Sequence, residues 1–292
     1  MQLTDLIQKV YSRLGQTTTY RATGGSTTTL VNSLWTNFGF DDDTFNNGAL
    51  VVISTTDDAA PQGEFGYTSD YDEGSTTLTF SPAMTAAIES GDRVAFLRPL
   101  YPLDDMIEVV NDALHEIGKV VPAPDTSITT ASNQTEYTLP RALRNERILK
   151  AEIQGITTDA NDNQWKEIPV KEIPADAGSA STIIIPQYET GYTVRLWYKY
   201  YHPRVEAYSD YIHESIPEEL IVAYVVAMAR EWYIGRTQSN DPIDLQLLNK
   251  ALGDLERAKR EHKIYSPPKR NRMLHYTEGS GDSDEFSTPD PA

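Results

Sequence analysis

The sequence contains no cysteine. A chain without thiols forms no disulfide framework and carries out no thiolate chemistry. This absence suits a protein of the reducing cytoplasm, and it suits equally an assembly that is exported without oxidation. Cysteine content therefore does not decide between these two locations.

Positive charge is also scarce. Lysine and arginine number 25 against 43 aspartates and glutamates, which gives a formal net charge of -18 and a pI near 4.6. Proteins that wrap nucleic acid neutralise its phosphates with an excess of lysine and arginine. The charge balance therefore argues against a nucleic-acid-binding surface and predicts that the protein repels DNA.

Long apolar runs are missing as well. The longest, "LIVAYVVAMA" from Leu220 to Ala229, ends at Arg230, far short of the ~20 residues that a membrane span needs. The first residues, "QLTDLIQKVYSRLG", are amphipathic, and they lack the basic, apolar and small-residue order of a signal peptide. We therefore expect no targeting segment and no membrane partner, and we expect Leu220 to Ala229 to be a buried helix.

Familiar motifs of catalysis and cofactor binding do not occur. There is no G-x-S-x-G elbow, no phosphate-binding P-loop and no dinucleotide fingerprint. None of the five histidines is spaced to share a helix face with another as a zinc ligand, and His115 fits the boundary of an amphipathic helix. Acidic residues are abundant, but abundance alone is no evidence for the carboxylate pair of a glycosidase. We expect no catalytic residue, no metal and no cofactor, so the protein is predicted not to be an enzyme.

Two turns are rich in oxygen-bearing side chains. These are "DDDTFNNG" from Asp41 to Gly48 and "DYDEG" from Asp70 to Gly74. Neither shows the alternating ligands and the final bidentate glutamate of an EF-hand loop. Because Asp, Asn and Gly are also the usual residues of turns, we favour a structural role, with adventitious calcium binding as the alternative.

The composition is typical of a globular protein. Its 292 residues, 39% of them apolar, are enough for one large domain or two moderate ones. Helical periodicity is clear in residues 3–14, before Gly15, and in 103–117, before Gly118; both glycines stand at the position of a C-cap.

Two further helices are predicted towards the C-terminus. "SIPEELIVAYVVAMAREWYIG" begins with Ser215 and Glu218 at the spacing of a capping box and is apolar nearly all round, so it should lie in the middle of the fold. Asp241 and Pro242 are suited to begin a fourth helix. That helix carries a stripe of leucines: Leu245, Leu248, Leu252 and Leu255.

The remaining segments read as strands. From Thr17 to Arg98, short alternating or apolar runs are separated by Gly, Pro, Asn and Asp, which predicts a small antiparallel β-domain inserted between two helices. A second, more irregular β-element follows, with "TTDANDNQ" as a polar hairpin turn. In its aromatic run, alternation puts Leu196, Tyr198 and Tyr200 on one face and Trp197, Lys199 and Tyr201 on the other. We favour packing on both faces, with a recognition surface as the alternative.

Charge is segregated near the C-terminus. Between Arg257 and Arg272 there are seven lysines or arginines against the single acid Glu261, and after Tyr276 every charge is acidic. The helix dipole favours cations at a helix C-terminus, but it does not explain a basic run that continues past Pro267. This pattern predicts an extended arm that becomes ordered on a partner with an acidic surface.

The order of these elements, with "DDMIEVVNDALHEIG", "ITTASNQTEYTLP", "RILKAEIQG" and "SIPEELIVAYVVAMAREWY", resembles the head-to-tail connector (adaptor or neck) proteins of tailed bacteriophages. The similarity covers roughly residues 3–14 and 103–265. Separately, the 17–98 segment is similar to small β-modules of phage virion proteins through its "PQGE" and "LTFSPA" phrases.

The resemblance implies a small helical bundle as the core, and the two β-elements read from the residues depart from that family pattern. Together they predict an α+β fold: a connector-type helical bundle with an inserted small antiparallel β-domain, a second β-element and an extended C-terminal arm. The expected segments are 1–16 with 99–120 (N-terminal helices), 17–98 (inserted β-domain), 121–214 (second β-element), 215–265 (C-terminal helices) and 266–292 (arm).

The resemblance also implies a structural virion protein, assembled in the host cytoplasm and located in the neck. It would form a ring, usually of twelve copies, between the portal protein and a downstream tail or neck protein, and genomic DNA would pass through without specific binding. The arm residues expected to contact the portal are Arg257, Arg260, Lys263, Lys269, Arg270, Arg272, Met273 and Tyr276.

Two other functions stay open at this point. The threonine-rich 17–98 segment and the aromatic run also suit a carbohydrate- or host-binding tail component. A tail-associated hydrolase would instead require a carboxylate pair with shifted pKa values in a cleft.

Overall fold

The computed structural model describes residues 1–144, 146–154, 164–173 and 180–262. The chain divides into two compact units. The first contains Met1–Val121 and the described chain from Tyr200 onward, and the second lies within Pro122–Lys199. The predicted "TTDANDNQ" turn and the 266–292 arm fall outside the described residues, apart from Gln164 of the turn.

All four predicted helices are confirmed, and all belong to the first unit. They are α1 (Leu3–Leu14), α2 (Leu103–Ile117), α3 (Glu218–Thr237) and α4 (Pro242–Glu261). Helix α3 contacts the other three, because its side chains are apolar nearly all round, as predicted.

The predicted helix ends are correct in three cases and wrong in one. Gly118 follows α2 directly as its C-cap, with a φ of 89°. Gly15 closes α1 with a left-handed φ of 72°, and the Asp241 carboxylate accepts a hydrogen bond from the Ile243 N–H at 2.8 Å at the start of α4. The predicted capping box of Ser215 does not form. Helix α3 instead begins directly after Pro217, whose restricted φ already favours a helix start, and Ser215 Oγ lies 2.9 Å from His213 Nδ1.

The chain between α1 and α2 forms a seven-stranded antiparallel sheet and the loops that connect its strands. Its spatial order is β1-β7-β4-β5-β6-β3-β2. The strands are β1 (Thr17–Arg21), β2 (Gly24–Gly25), β3 (Thr29–Val31), β4 (Ala49–Ser54), β5 (Phe65–Asp72), β6 (Thr77–Ser81) and β7 (Arg93–Leu97).

The central strands of this sheet are buried on both faces. Ala49 and Val51 of β4 and Leu97 of β7 belong to the same hydrophobic core as α1, α2 and α3. The alternate residues Leu50 and Val52 face a second core that includes Trp35, Phe45 and Phe80. Since successive strand residues point to opposite faces, β4 and β7 serve both cores at once.

The predicted fold class is therefore wrong. The described chain has three antiparallel sheets, of seven, four and three strands, and only four helices, so it is not a helical bundle with a small inserted β-domain. The prediction overweighted the helices because their periodicity extends over 12 to 20 residues, whereas the strands are short. It also treated 17–98 as separable, although one face of that sheet completes the helical core.

The second unit contains two smaller sheets around an aliphatic core. The four-stranded sheet has the order β11-β10-β14-β8 and the three-stranded sheet the order β12-β13-β9. Buried Ile153, Ile183 and Leu196 are part of the core. The strands are β8 (Val121–Thr129), β9 (Glu136–Thr138), β10 (Lys150–Gln154), β11 (Trp165–Ile168), β12 (Lys171–Ile173), β13 (Thr182–Ile184) and β14 (Thr193–Tyr200).

Gly48, just before β4, occupies a position with no room for a side chain. A Cβ there would lie 2.4 Å from Phe96 Cε2 and 2.6 Å from the Leu97 carbonyl oxygen. We expect Gly48→Ala to lower the free energy of unfolding by about 1–3 kcal/mol in urea denaturation, because the sheet must shift to relieve the contact. Gly24→Ala is the matched control, since a Cβ at Gly24 meets no atom within 4 Å. Equal stability of the two variants would contradict this expectation.

Candidate interaction surfaces

The structure places two of the predicted portal-contacting residues. Arg257 and Arg260 lie in the C-terminal part of α4. The other six lie outside the described residues: Lys263, Lys269, Arg270, Arg272, Met273 and Tyr276. Contact of all eight with a portal stays a prediction.

Part of the basic charge at the end of α4 is balanced within the helix. Arg257 forms an ion pair with Asp254 at 2.9 Å, and Lys259 with Glu256 at 3.2 Å. Arg260 donates instead to the Glu256 backbone carbonyl at 3.2 Å. Such exposed pairs contribute about 0–1 kcal/mol, so they leave these side chains free to exchange partners.

The predicted leucine stripe of α4 is only partly buried. Leu255 packs against α3 together with Ala251 and Ala258, because small residues allow close approach of the two helices. Leu245 is 44% exposed, and Ile243 before it is 63% exposed. The first half of α4 therefore presents aliphatic side chains to solvent. The buried face of α4 could have been found in the sequence from the spacing of Ala251, Leu255 and Ala258, which are four and three residues apart.

A groove lies between α1, α3 and α4, with a volume of about 180 Å³. Its apolar part comes from Ala223 and Val226 of α3 and from Leu247 and Ala251 of α4. Its charged part consists of three cations and one carboxylate: Arg13, Arg230, Lys250 and Asp254. We call this the α1–α3–α4 groove. Sequence reasoning did not predict it, since its cations come from three separate helices.

Arg230 of α3 makes hydrogen bonds to two residues outside its own helix. Its guanidinium donates to the Leu14 carbonyl at 3.3 Å, at the C-terminal end of α1, and to the Tyr101 hydroxyl at 3.4 Å. A cation at a helix C-terminus interacts favourably with the helix dipole. Neither acceptor carries a full negative charge, so Arg230 has no carboxylate partner among these contacts.

A second polar cluster lies on one face of the four-stranded sheet in the second unit. Glu152 of β10 is only 5% exposed. It accepts hydrogen bonds from Arg195 Nε at 2.7 Å and Trp197 Nε1 at 2.8 Å, and it pairs with Lys150. Burial by itself would raise the pKa of Glu152, but the hydrogen bonds from Lys150, Trp197 and Arg195 and the charge of Arg195 outweigh it and lower the pKa to about 2.

Two tryptophans enclose the cation of this cluster. The Arg195 guanidinium carbon lies 4.0 Å from the Trp165 ring centre and 5.1 Å from that of Trp197. On the opposite face of β14, Leu196 is buried and Tyr198 packs against the aliphatic core. Packing on both faces of the strand is therefore confirmed for Leu196, Trp197 and Tyr198. It is not found for Tyr200, which is 51% exposed.

The acidic turns act as turns. The Asp42 carboxylate accepts from the Glu73 N–H at 2.7 Å, and Asp72 accepts from the Gly74 N–H at 2.9 Å and the Ser75 hydroxyl at 2.7 Å. Hydrogen bonds from Ser75 and Gly74 lower the pKa of Asp72. Within the described ranges, no three His, Asp or Glu side chains are grouped to hold a metal ion.

His115 is exposed and stacks on the Tyr201 ring at 4.6 Å between ring centres. Its position on the outer side of α2 agrees with the predicted boundary role. No helix in the described part of the chain combines the length and apolarity needed to cross a bilayer.

Neither a protein-family model nor a curated protein sequence matches the chain significantly. Three surfaces of the described chain are candidates for contact with a partner: the exposed aliphatic half of α4, its basic end, and the α1–α3–α4 groove.

Proposed function

We propose that this protein is a structural component of a tailed-bacteriophage virion, a head-to-tail connector that forms a ring between the portal and the tail and completes the DNA channel after packaging. The observation that carries the proposal is helix α4. It packs against α3 through one face, exposes Ile243 and Leu245 near its start, and ends in a basic segment. A helix of this kind suits assembly with other chains.

The aliphatic half of α4 supports self-association. Exposed apolar side chains on one helix face lose unfavourable contact with water when another surface covers them. In a ring, each copy covers a different surface of its neighbour, so each copy uses two complementary surfaces, the α4 face and the surface that receives it. The proposed ring uses the first half of α4 in this way.

The charge of the protein supports the proposed DNA channel and the proposed contact with the portal. The net charge of -18 suits the lining of a DNA conduit, because a negative wall does not retain the duplex as it passes. The basic end of α4 continues into Lys263, Lys269, Arg270 and Arg272. A local cationic segment on an acidic protein directs binding towards an acidic surface, and the proposed acidic surface is on the portal.

The proposed assembly is stepwise. The basic segment binds the portal after packaging, neighbouring copies then close the ring through α4, and the completed lower face receives the tail. Binding to the portal raises the local concentration of copies, which favours ring closure.

Native mass spectrometry of the protein alone and with a portal ring tests this proposal. We expect a monomer in isolation, because one exposed half-helix is a small interface, and about twelve copies bound per portal ring. Raised salt should weaken the complex, since the portal contact is electrostatic. A stable dimer or trimer that ignores the portal would contradict the connector role.

A truncation series tests the basic segment. Removal of residues 266–292 is expected to weaken portal binding at least tenfold, or about 1.4 kcal/mol, because it removes Lys269, Arg270 and Arg272 together. Removal of residues 277–292 alone is the control, since that part contains no cation. Unchanged portal binding after the longer truncation would show that the segment has no such role.

One observation favours a second candidate, a carbohydrate- or host-binding tail component. Phe38, beside the seven-stranded sheet, is 65% exposed and stacks on Phe40 with 5.7 Å between ring centres. An exposed ring of this kind provides a surface on which a sugar stacks. Glycan binding by the full chain, lost on Phe38→Ala, would favour this function over the connector.

A further inference from the structure

The α1–α3–α4 groove carries charge of the opposite sign to the protein as a whole. The chain has 43 acidic and 25 basic residues, yet Arg13, Arg230 and Lys250 line the groove with Asp254 as its one acid. Asp254 itself pairs with Arg257 of the same helix, at 2.9 Å. In the described chain, no carboxylate forms an ion pair with any of the three groove cations.

For Arg230 the lack of a carboxylate partner is energetically unfavourable, because its charge is partly removed from water. It is half-buried, and it donates to the Leu14 carbonyl and the Tyr101 hydroxyl, both neutral. Charges removed from water are usually paired, and a guanidinium has five donors. The groove therefore suits a ligand carboxylate that would supply the missing negative charge, beside an apolar part that suits a nonpolar side chain.

We propose that this groove binds the acidic C-terminal segment of the same chain, residues 278–290. The segment has five carboxylates and no cation: Glu278, Asp282, Asp284, Glu285 and Asp290. Phe286 follows two of them directly. The carboxylates match the groove cations, and the ring of Phe286 matches the apolar surface of Ala223, Val226 and Leu247.

The chain is long enough for this contact to be intramolecular. The groove residues of α4, Leu247 to Asp254, lie about 10–21 Å before Glu261 at 1.5 Å per residue. The twenty residues between Glu261 and Asp282 span up to about 70 Å when extended. Closing a loop of this length costs little more than closing a shorter one, and the tether provides an effective concentration on the order of millimolar.

The segment has an alternative partner on the same chain, the basic residues Lys263 to Arg272. These cations are in the same polypeptide and would attract carboxylates as well. The groove differs from that segment in what the structure shows of it: three cations without a carboxylate partner in the described chain lie beside the apolar side chains of Ala223, Val226 and Leu247. The proposal does not depend on the connector function, because it concerns a contact of the chain with itself.

Fluorescence anisotropy with a labelled synthetic peptide of residues 277–292 tests the proposal. The peptide is titrated with the full chain and with a chain that ends at Tyr276, which keeps the basic residues 263–272. We expect the shortened chain to bind the peptide at least tenfold more tightly, because in the full chain the tethered segment competes for the groove. Equal affinity of the two chains, or no binding to the shortened chain, would overturn the proposal.

Charge reversal in the shortened chain locates the site. Arg13→Glu and Lys250→Glu are each expected to weaken peptide binding at least tenfold; both side chains are exposed, so folding should not suffer. Arg93→Glu is the matched control, with the same change of charge at an exposed residue of β7 that does not line the groove. Its affinity for the peptide should stay within twofold of that of the unsubstituted shortened chain. If all three variants weaken binding equally, or if neither groove variant does, the peptide binds elsewhere and the proposal fails.

Discussion

Replacing Glu152 with glutamine is expected to lower the free energy of unfolding of the second unit by about 3 kcal/mol at neutral pH. Glu152 is almost fully buried and accepts hydrogen bonds from Arg195 and Trp197. Glutamine is nearly the same size, so the substitution removes the charge and leaves packing little changed. Arg195, enclosed by two tryptophans, then has no counter-charge from this position.

The pH dependence of this effect has a definite sign. The pKa of Glu152 falls from 4.5 to about 2 in the folded protein. Its contribution is therefore complete above about pH 4.5 and is lost as the pH falls towards 2. The difference in stability between the wild type and Glu152→Gln should shrink over that range, as measured by urea denaturation followed through tryptophan fluorescence.

Glu167→Gln is the matched control for this prediction. Glu167 lies directly opposite Glu152 on β11, on the same face of the sheet, but it is exposed. An exposed carboxylate is screened by water, so its loss should change stability by no more than about 0.5 kcal/mol. Equal effects of the two substitutions would show that the buried cluster contributes no special stability.

Leu97→Ala is expected to destabilise the first unit by about 2–5 kcal/mol. Leu97 ends β7, is 1% exposed, and belongs to the core shared with α1 and α2. Truncation of a buried leucine removes apolar contacts and leaves a cavity, because the close-packed side chains around it relax only partially. Because the same core supports the helices, α1 and α2 should lose stability together with the sheet.

Hydrogen exchange with mass spectrometry measures this coupling. In the Leu97→Ala variant, amide protection should fall in α1 and α2 as well as in β4 and β7. Leu100→Ala is the control, because this leucine lies three residues further along the chain but is 45% exposed. Its substitution should change the free energy of unfolding by no more than about 0.5 kcal/mol. If protection fell in the sheet alone, the 17–98 region would be a separable domain, as the sequence suggested.

The helices could be predicted because their signals are local. Apolar spacing defined α1 and α2 over their full length. Gly15 marked the end of α1 and Asp241 the start of α4, by backbone and side-chain chemistry that acts within a few residues. Ser215 shows the limit of such reasoning. Its capping-box spacing with Glu218 was suitable, but Pro217 between them determined where α3 begins.

The candidate surfaces were less predictable. The basic end of α4 was visible in the sequence, whereas the groove was not, because Arg13, Arg230 and Lys250 are separated by as many as 237 positions. Glu152 likewise stands in an ordinary alternating strand. Its importance comes from Arg195 and Trp197 on the neighbouring strand, and strand pairing between distant segments is not encoded in local periodicity.

The sequence by itself determined the positions of the helices, the turn roles of the acidic loops and the segregation of charge near the C-terminus, since each depends on residues close together in the chain. The tertiary structure alone decided that the 17–98 strands form a large sheet sharing the core of the helices. The physical reason is that β4 and β7 are buried on both faces, and which surface covers each face is set by contacts between residues far apart in sequence.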